Sequence, residues 1–323
     1  MSQTQQELKP AAFEPLRVRE RFRPWSWVAT IVVLIVVAMI VQALLTNPNF
    51  QWDVVAKYIG SAQILQGLVN TLELTVLAML IGVLLGTLLA VMRGSRNATL
   101  AATAGAYIWF FRGTPLLVQL IFWYNLSSLY PNLTFGIPFT GITFGSVVTN
   151  SVISPYTAAL LGLGLNQAAY TAEIVRAGIL SVPHGQLDAA ASFGMTRMLT
   201  MRRVILPQAM RVIIPPIGNE TIGMLKTTSI VSVLAMPELL YSAQIIYART
   251  YQIIPMLIVA SLWYLAVTTI LTLVQGQIEK KYAVRGPALQ GNRLGEFARR
   301  FFTTHAKLTE PPSAAPKTTG TSS

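Results

Sequence analysis

The sequence predicts an all-α membrane protein of about six transmembrane helices, and three observations carry that prediction. Of its 323 residues, 53% are hydrophobic and only 11% are charged, whereas a soluble globular chain carries about 25% charge. The apolar residues gather in six runs, each near the roughly 20 residues that a helix needs to cross a bilayer. Lys and Arg collect in alternate connections between those runs. Residues 93–104 and 176–211 hold Arg93, Arg96, Arg176, Arg197, Arg202, Arg203 and Arg211, while 46–67, 131–155 and 237–252 hold only Lys57 and Arg249. Because basic loops stay in the cytoplasm, the first set reads as internal. The basic N-terminal segment, with Lys9, Arg17, Arg19, Arg21 and Arg23, and the basic C-terminal tail then place both ends inside, as an even number of spans requires.

The elements follow in order. Residues 1–26 form a basic cytoplasmic segment, and its arginines can attract anionic headgroups. Residues 27–45 (WVATIVVLIVVAMIVQALL) are an uncharged, predominantly apolar run. A signal peptide is the rival reading, but its apolar region is about 7–15 residues long and a small-residue cleavage site follows it; here the run is longer and no such site follows, so it reads as a retained extra helix. The second run, Leu72–Met92, contains Gly82 and Gly86, read either as a spacing that lets two helix backbones approach closely or as glycine's ordinary frequency in membrane helices. The third, about 100–130, is interrupted by Arg112-Gly113-Thr114-Pro115 and predicts a kink. An uncharged Gly/Pro/Ser/Thr/Asn-rich external loop covers 131–155, as either a partner surface or a plain connector. The fourth run, about 156–179, holds Glu173. The fifth, about 212–236, is weak, with Pro215, Pro216, Asn219, Glu220 and Lys226. The sixth, 253–274, is clean. Residues 285–323 form a cytoplasmic tail whose Pro/Ser/Thr-rich end predicts disorder.

Composition excludes several classes. There is no cysteine, so no disulfide framework, thiolate metal site or Cys nucleophile exists, and His184 and His305 are too few for a His-based metal centre. No metal ligand set and no catalytic residue is assigned. The net charge of +12 sits in short clusters between apolar runs rather than on a dense basic face with interleaved aromatics, so nucleic acid is not expected as a partner. No G-x-x-x-x-G-K-[ST] phosphate loop occurs, so any ATP used must be bound by another chain.

Charges inside apolar runs cost at least about 2.5–3.5 kcal/mol at mid-membrane and usually face a bundle interior. Arg112, Glu173, Glu220 and Lys226 are such charges, accompanied by Thr114, Gln119, Asn166, Tyr170, Asn219, Thr228 and Ser229. Two readings stay open. One is a polar cavity for a zwitterion, with Glu173 facing an ammonium or guanidinium and Arg112 and Lys226 facing a carboxylate. The other is helix-to-helix pairing among the charges themselves.

The loop at 181–207 is the most informative stretch. Leu187, Ala191, Met195 and Met198 recur at helical spacing, and Gly194 predicts a turn after a short helix. Asp188-Ala-Ala-Ala-Ser-Phe-Gly194, closed by Ile205-Leu206-Pro207, resembles the EAA loop of ATP-binding-cassette (ABC) importer permeases. Three further stretches resemble one branch, the polar amino acid permeases of the histidine/glutamine/arginine type: Phe111–Gln119 (FRGTPLLVQ), Asn166–Ile179 (NQAAYTAEIVRAGI), and Leu206–Glu220 with Leu225–Ile230. The resemblance covers about 65–284. Asp188 stands where the family usually has Glu, which keeps the carboxylate one methylene shorter.

The resemblance implies a type I ABC importer permease core of five helices, with the N-terminal helix as an addition. It implies a multi-pass protein of the bacterial cytoplasmic membrane that moves a polar amino acid and is not itself an enzyme. The partners it implies are an ABC ATPase subunit carrying ATP and Mg, an extracytoplasmic substrate-binding protein, and a second permease subunit in a homo- or heterodimer. Asp188, Ala189, Ala190, Gly194, Leu206 and Pro207 are implied in coupling to the ATPase. Arg112, Thr114, Tyr170, Glu173, Lys226, Thr228 and Ser229 are the expected substrate-binding set. The alternatives are a permease for an amino-acid derivative such as an opine and a self-sufficient secondary transporter.

Overall fold

The computed structural model describes residues 24–137, 140 and 142–282. The basic segment up to residue 23 and the tail beyond Tyr282 lie outside the described residues, so the expectations placed on them find no counterpart here. The chain divides into two units. The first, ending at Asn47, contributes α1 (Pro24–Thr46), and the second begins at Pro48. α1 is uniformly apolar, with a mean hydropathy of 3.0 over its best window.

The second unit runs through α2 (Trp52–Tyr58), α3 (Ala62–Arg93), α4 (Ala98–Gly113), α5 (Leu116–Tyr124), the single turn α6 (Leu126–Leu129), strands β1 (Asn132–Gly136) and β2 (Thr143–Val148), and the turn α7 (Thr149–Val152). It continues with α8 (Pro155–Leu180), α9 (His184–Ser192), α10 (Arg197–Thr200), α11 (Leu206–Thr227), a 3-10 stretch at Thr228–Leu234, α12 (Leu239–Thr250) and α13 (Ile253–Tyr282). Where an uncharged loop was expected at 131–155 there is an antiparallel hairpin pairing Asn132 with Val148 and Thr134 with Ser146. Neither strand has the run of β-branched residues that marks one in sequence.

Three described helices are long and apolar enough to cross a membrane: Trp27–Thr46, Ala62–Arg93 and Ile253–Tyr282. A fourth span exists if Arg197–Leu234 and Leu239–Thr250, which meet at a 45° bend, are counted together. The expected count of six is therefore not reached on length and composition. The third apolar run is split at Gly113–Pro115 into helices of 16 and 9 residues. α8 has 26 residues, about 39 Å at 1.5 Å per residue, but it trades apolar content for Asn166, Gln167, Glu173 and Arg176.

α3 and α8 form the axis of the unit. A Cβ on Gly82 would lie 2.6 Å from Gln167 Cγ, and one on Gly86 would lie 2.7 Å from the Ala168 carbonyl oxygen. The two glycines thus let α8 lie directly on α3, the close approach that small residues permit between membrane helices. Around this axis sit three apolar clusters. One gathers Leu74, Leu120 and Leu163 between α3, α5 and α8. A second gathers Leu89, Ala104, Ala168 and Ile213 between α3, α4, α8 and α11. The third joins Ile64, Leu239 and Met256 of α3, α12 and α13.

The elbow between the 3-10 stretch and α12 is fixed by a buried carboxylate. Ala235 turns the chain with φ of 56°. Glu238, fully buried, caps α12 by accepting from the amides of Leu240 (2.9 Å) and Tyr241 (2.6 Å), and it also accepts from the Tyr264 hydroxyl at 2.9 Å. The Leu239 amide donates to Thr71 Oγ1 at 3.0 Å, so α3, α12 and α13 meet at one polar knot. Glu238→Ala removes one acceptor and strands three donors. It is expected to lower stability by about 2–4 kcal/mol, read as a lower melting temperature of the detergent-purified protein, with Tyr264→Phe losing less because it strands only one side of one bond.

Candidate functional site

Pro115 organises the first half of the site. It has no amide hydrogen, so the Phe111 carbonyl, four residues earlier, loses its helical donor. Two side chains replace it. Gln119 Nε2 donates to Phe111 O at 3.0 Å, and Asn166 Nδ2 donates to the same oxygen at 3.0 Å. Gln119 Nε2 also reaches Thr114 O (3.1 Å) and Thr114 Oγ1 (2.7 Å), while its own Oε1 accepts from Asn166 at 3.2 Å. The break between α4 and α5 is thereby tied to α8 through the Gln119 and Asn166 amides, and Arg112 stands at its mouth with its guanidinium 5.4 Å from the centre of the Tyr170 ring.

Beyond this knot, α5, α8 and α11 enclose a cavity of about 270 Å³ lined by Leu116, Asn166, Gln167, Tyr170, Glu220, Gly223, Met224 and Thr227. It lies a little below the 300–1,000 Å³ of drug-sized pockets, which suits a molecule the size of an amino acid. Its one carboxylate is Glu220, whose Oε2 accepts from Gln167 Nε2 at 3.2 Å. That single neutral donor leaves acceptor capacity free, since an ionised carboxylate has about four lone-pair sites. The cavity therefore offers an anion at one side, an aromatic face, two amides and a guanidinium near the rim.

Of the expected set, the structure brings Tyr170 into the cavity and Arg112 beside it. Glu173 lies one turn further along α8 and is engaged by Arg176, 2.7 Å away, in the one ion pair among the described residues. Thr114 opens instead on an apolar cavity with Phe110, Phe111, Val118, Phe122 and Trp123. Lys226 and Ser229 line another cavity, against Ser261, Tyr264 and Thr268 of α13. Thr228 is buried, and its hydroxyl donates to Leu225 O at 2.7 Å. The polar cavity residues that sequence reasoning left out of its binding set are Asn166, Gln167, Glu220 and Thr227. Glu220 was visible as an intramembrane charge, but only the folded chain shows that α11 turns it toward Tyr170 while carrying Lys226 away. Among the described residues, no cluster of His, Asp and Glu is arranged to hold a metal.

The second feature is the connection between α8 and α11. α9 ends at Ser192, and Gly194 just beyond it adopts φ of 68°. The Met195 amide donates to Ala190 O (3.1 Å) and the Gly194 amide to Ala191 O (2.9 Å), the paired bonds of a Schellman helix end. Thr196 then caps α10 through the Leu199 amide, and a π turn at Met201–Ile205 leads into α11 at Leu206 and Pro207. The inner side of this helix-turn-helix, Leu187, Ala191 and Met195, faces Thr200 and Ile205. The outer side presents Asp188, Ala189 and Phe193, the last 85% exposed, with Met198 76% exposed. Phe193 is the feature that helical periodicity missed, because the helix stops before the stripe would have placed it.

Residues 82–284 match the family described as binding-protein-dependent transport system inner membrane component. The chain is 44% identical over 276 residues to the arginine transport system permease protein ArgU of Corynebacterium glutamicum, covering 85% of this chain and 84% of that one. It is 38% identical over 220 residues to the probable amino-acid ABC transporter permease protein YckA of Bacillus subtilis, covering 68% and 89%. It is 38% identical over 225 residues to the octopine transport system permease protein OccM of Rhizobium meliloti, covering 69% and 85%. Among solved structures, a crystal structure of an amino acid ABC transporter with histidines superposes with a TM-score of 0.58 at 39% identity, covering 68% of this chain and 94% of that chain.

Proposed function

The chain belongs to the binding-protein-dependent transport system inner membrane components and is an amino-acid ABC transporter permease, and from that premise we propose how it works. It carries an amino acid across the bacterial cytoplasmic membrane, with both of its termini in the cytoplasm, using ATP and Mg bound by a separate ATPase subunit. It acts with a second permease subunit and receives its cargo from an extracytoplasmic binding protein. The observation that carries the substrate reading is the cavity between α5, α8 and α11, where Glu220 and the Tyr170 face meet Asn166 and Gln167 with Arg112 at the rim. The substrate carboxylate turns toward Arg112 and its cationic end toward Glu220 and Tyr170. Glu173, on the same face of α8, continues the polar path. Lys226, Thr228, Ser229 and Thr114 stand outside this cavity, so the proposed site is narrower than the expected set. An amino-acid derivative is the second reading, favoured by the likeness to the octopine permease.

Coupling is assigned to the exposed ridge of α9. Asp188, Ala189 and Gly194 dock on the ATPase; Ala190, expected to join them, is buried on the inner side and supports the ridge from behind, while Leu206 and Pro207 pass the movement to α11. A ligand shifts such an element only through unequal affinity for its two arrangements, so ATP and substrate must each favour one position of α9. Reconstitution tests the whole reading. The chain alone in liposomes is expected to accumulate nothing under an ion gradient, and to accumulate amino acid once ATPase, binding protein and ATP are supplied. Competition among unlabelled amino acids and derivatives then identifies the cargo. Gly194 supplies the matching variant pair. A Cβ there meets nothing within 4 Å, so the cost lies in the positive φ alone, about 1–2 kcal/mol for most residues and less for Asn. Gly194→Asn should retain uptake, while Gly194→Trp should remain inserted but hydrolyse ATP without transport. Normal uptake by Gly194→Trp overturns the assignment.

A further inference from the structure

We propose that Pro215, Pro216 and Gly218 form a pivot in α11, and that Gln275 of α13 is a positioning residue that holds this pivot while the coupling loop moves. α11 joins the two functional features of the chain. It begins at Leu206, directly after the helix-turn-helix, and its later turns bring Glu220, Gly223 and Thr227 to the cavity. Between the two stand adjacent prolines inside the helix. Neither has an amide hydrogen, so the carbonyls of Arg211 and Val212 lose their helical donors. Two missing rungs in succession leave α11 least supported against bending at this point, and proline is a usual site of helix kinks. Pro216 is one turn before Glu220, so a bend here moves that carboxylate relative to Asn166 and Tyr170 of α8.

The half of α11 before the prolines packs on α8. Ala209 and Ile213 share a cluster with Ala172 and Val175, and a Cβ on Gly178 would overlap the Ile213 side chain. The coupling loop and its two flanking helix ends therefore make one body. α13 carries no part of that loop, and it reaches the break through Gln275, which is 5% exposed. Gln275 Nε2 donates to the Pro215 carbonyl at 2.8 Å and to Glu279 Oε1 at 3.1 Å. The same amide lies so close on Gly218 that a Cβ there would overlap it, so only glycine seats it unmoved. A buried amide is costly unless it is bonded, and this one is directed at the weakened stretch of α11. A body turns about a fixed point only if something outside it holds that point, and Gln275 does so from α13. Without it, a push on α9 flexes the break and leaves Glu220 where it was. The inference rests on the coupling role given to α9 above, and adds to it the place where the movement turns.

The test uses the full chain with its ATPase and binding protein in liposomes, and reads amino acid taken up per ATP hydrolysed. Gln275→Ala removes the amide, and Gly218→Ala pushes it off its seat. Each is expected to lower that ratio several-fold while the complex still assembles and hydrolyses ATP. Gly218→Ala acts only by displacing Gln275, so the double variant should be no worse than Gln275→Ala alone. Gly276→Ala, next in sequence but facing open space, should keep the parent ratio. An unchanged ratio in Gln275→Ala overturns the proposal. So does a fall of uptake and hydrolysis in step, which would make Gln275 a packing contact and no more. Should Gly218→Ala fail to insert, Gln275→Ala still decides, because it adds no atom to the notch. Gly194→Trp measured alongside separates the two readings. If it uncouples while Gln275→Ala keeps the parent ratio, the pivot falls and the docking of α9 stands. If Gly194→Trp transports normally while Gln275→Ala uncouples, the pivot stands and the movement enters α11 by another route.

Discussion

Gly86→Val is expected to leave little folded protein in the membrane, the largest stability effect in this chain. The first added carbon already falls 2.6 Å from Thr171 Cβ and 2.7 Å from the Ala168 carbonyl oxygen. A backbone atom cannot rotate away, so α8 must move off α3 as a body. One added methylene in a tight contact costs about 1–3 kcal/mol, and valine adds two methyls beyond that first carbon, against a total stability of about 5–15 kcal/mol. The displacement also moves Gln167 and Tyr170 from their places around the cavity. Two controls isolate the cause. Gly105 has the mobile end of the Arg93 side chain as its neighbour, and Gly276 has open space, so Gly105→Ala and Gly276→Ala should be near neutral. Membrane-inserted yield and melting temperature in detergent make the comparison. Equal behaviour of Gly86→Val and Gly276→Ala would show that the helices do not touch where the structure places them.

How much of this was legible in the sequence depends on whether the signal is local. The close approach at Gly82 and Gly86 is half legible: the spacing permits it, but glycine is also simply frequent in membrane helices, and only Gln167 and Ala168 lying against the pair decide it. The break at Gly113–Pro115 is legible because proline removes a donor wherever it stands, and Gly194 marks a helix end for the same kind of reason. The buried cap at Glu238 was hidden, because its meaning needs Tyr264 and Thr71, which reach it from two other helices. The sorting of Glu220 from Lys226 was hidden too. They are six positions apart, and nothing in composition says which way each points once Pro215 and Pro216 stand inside α11. The hairpin was missed because its strands carry the turn-forming residues Asn132, Gly136, Gly145 and Ser146, and their pairing shows only in the folded chain.

Glu220→Gln tests the site at its most consequential atom. Glutamine keeps the volume, and its carbonyl oxygen can still accept from Gln167 Nε2, so the bond across α8 and α11 survives and the protein should insert and melt as before. What is lost is the negative charge toward the cavity. A hydrogen bond to a charged group is worth about 1.5–3 kcal/mol, and every 1.4 kcal/mol is a factor of ten in binding. Uptake of an amino acid with a cationic side chain should therefore fall by roughly ten- to a hundredfold at limiting substrate, and uptake of a neutral one should fall less. Lys226→Met, on the α13 side of the same helix, should change that selectivity little. If both variants depress all substrates equally with normal membrane levels, Glu220 acts through helix movement and not through contact with cargo. If Glu220→Gln transports cationic amino acids at the normal rate, the cavity between α5, α8 and α11 is not where the substrate rests.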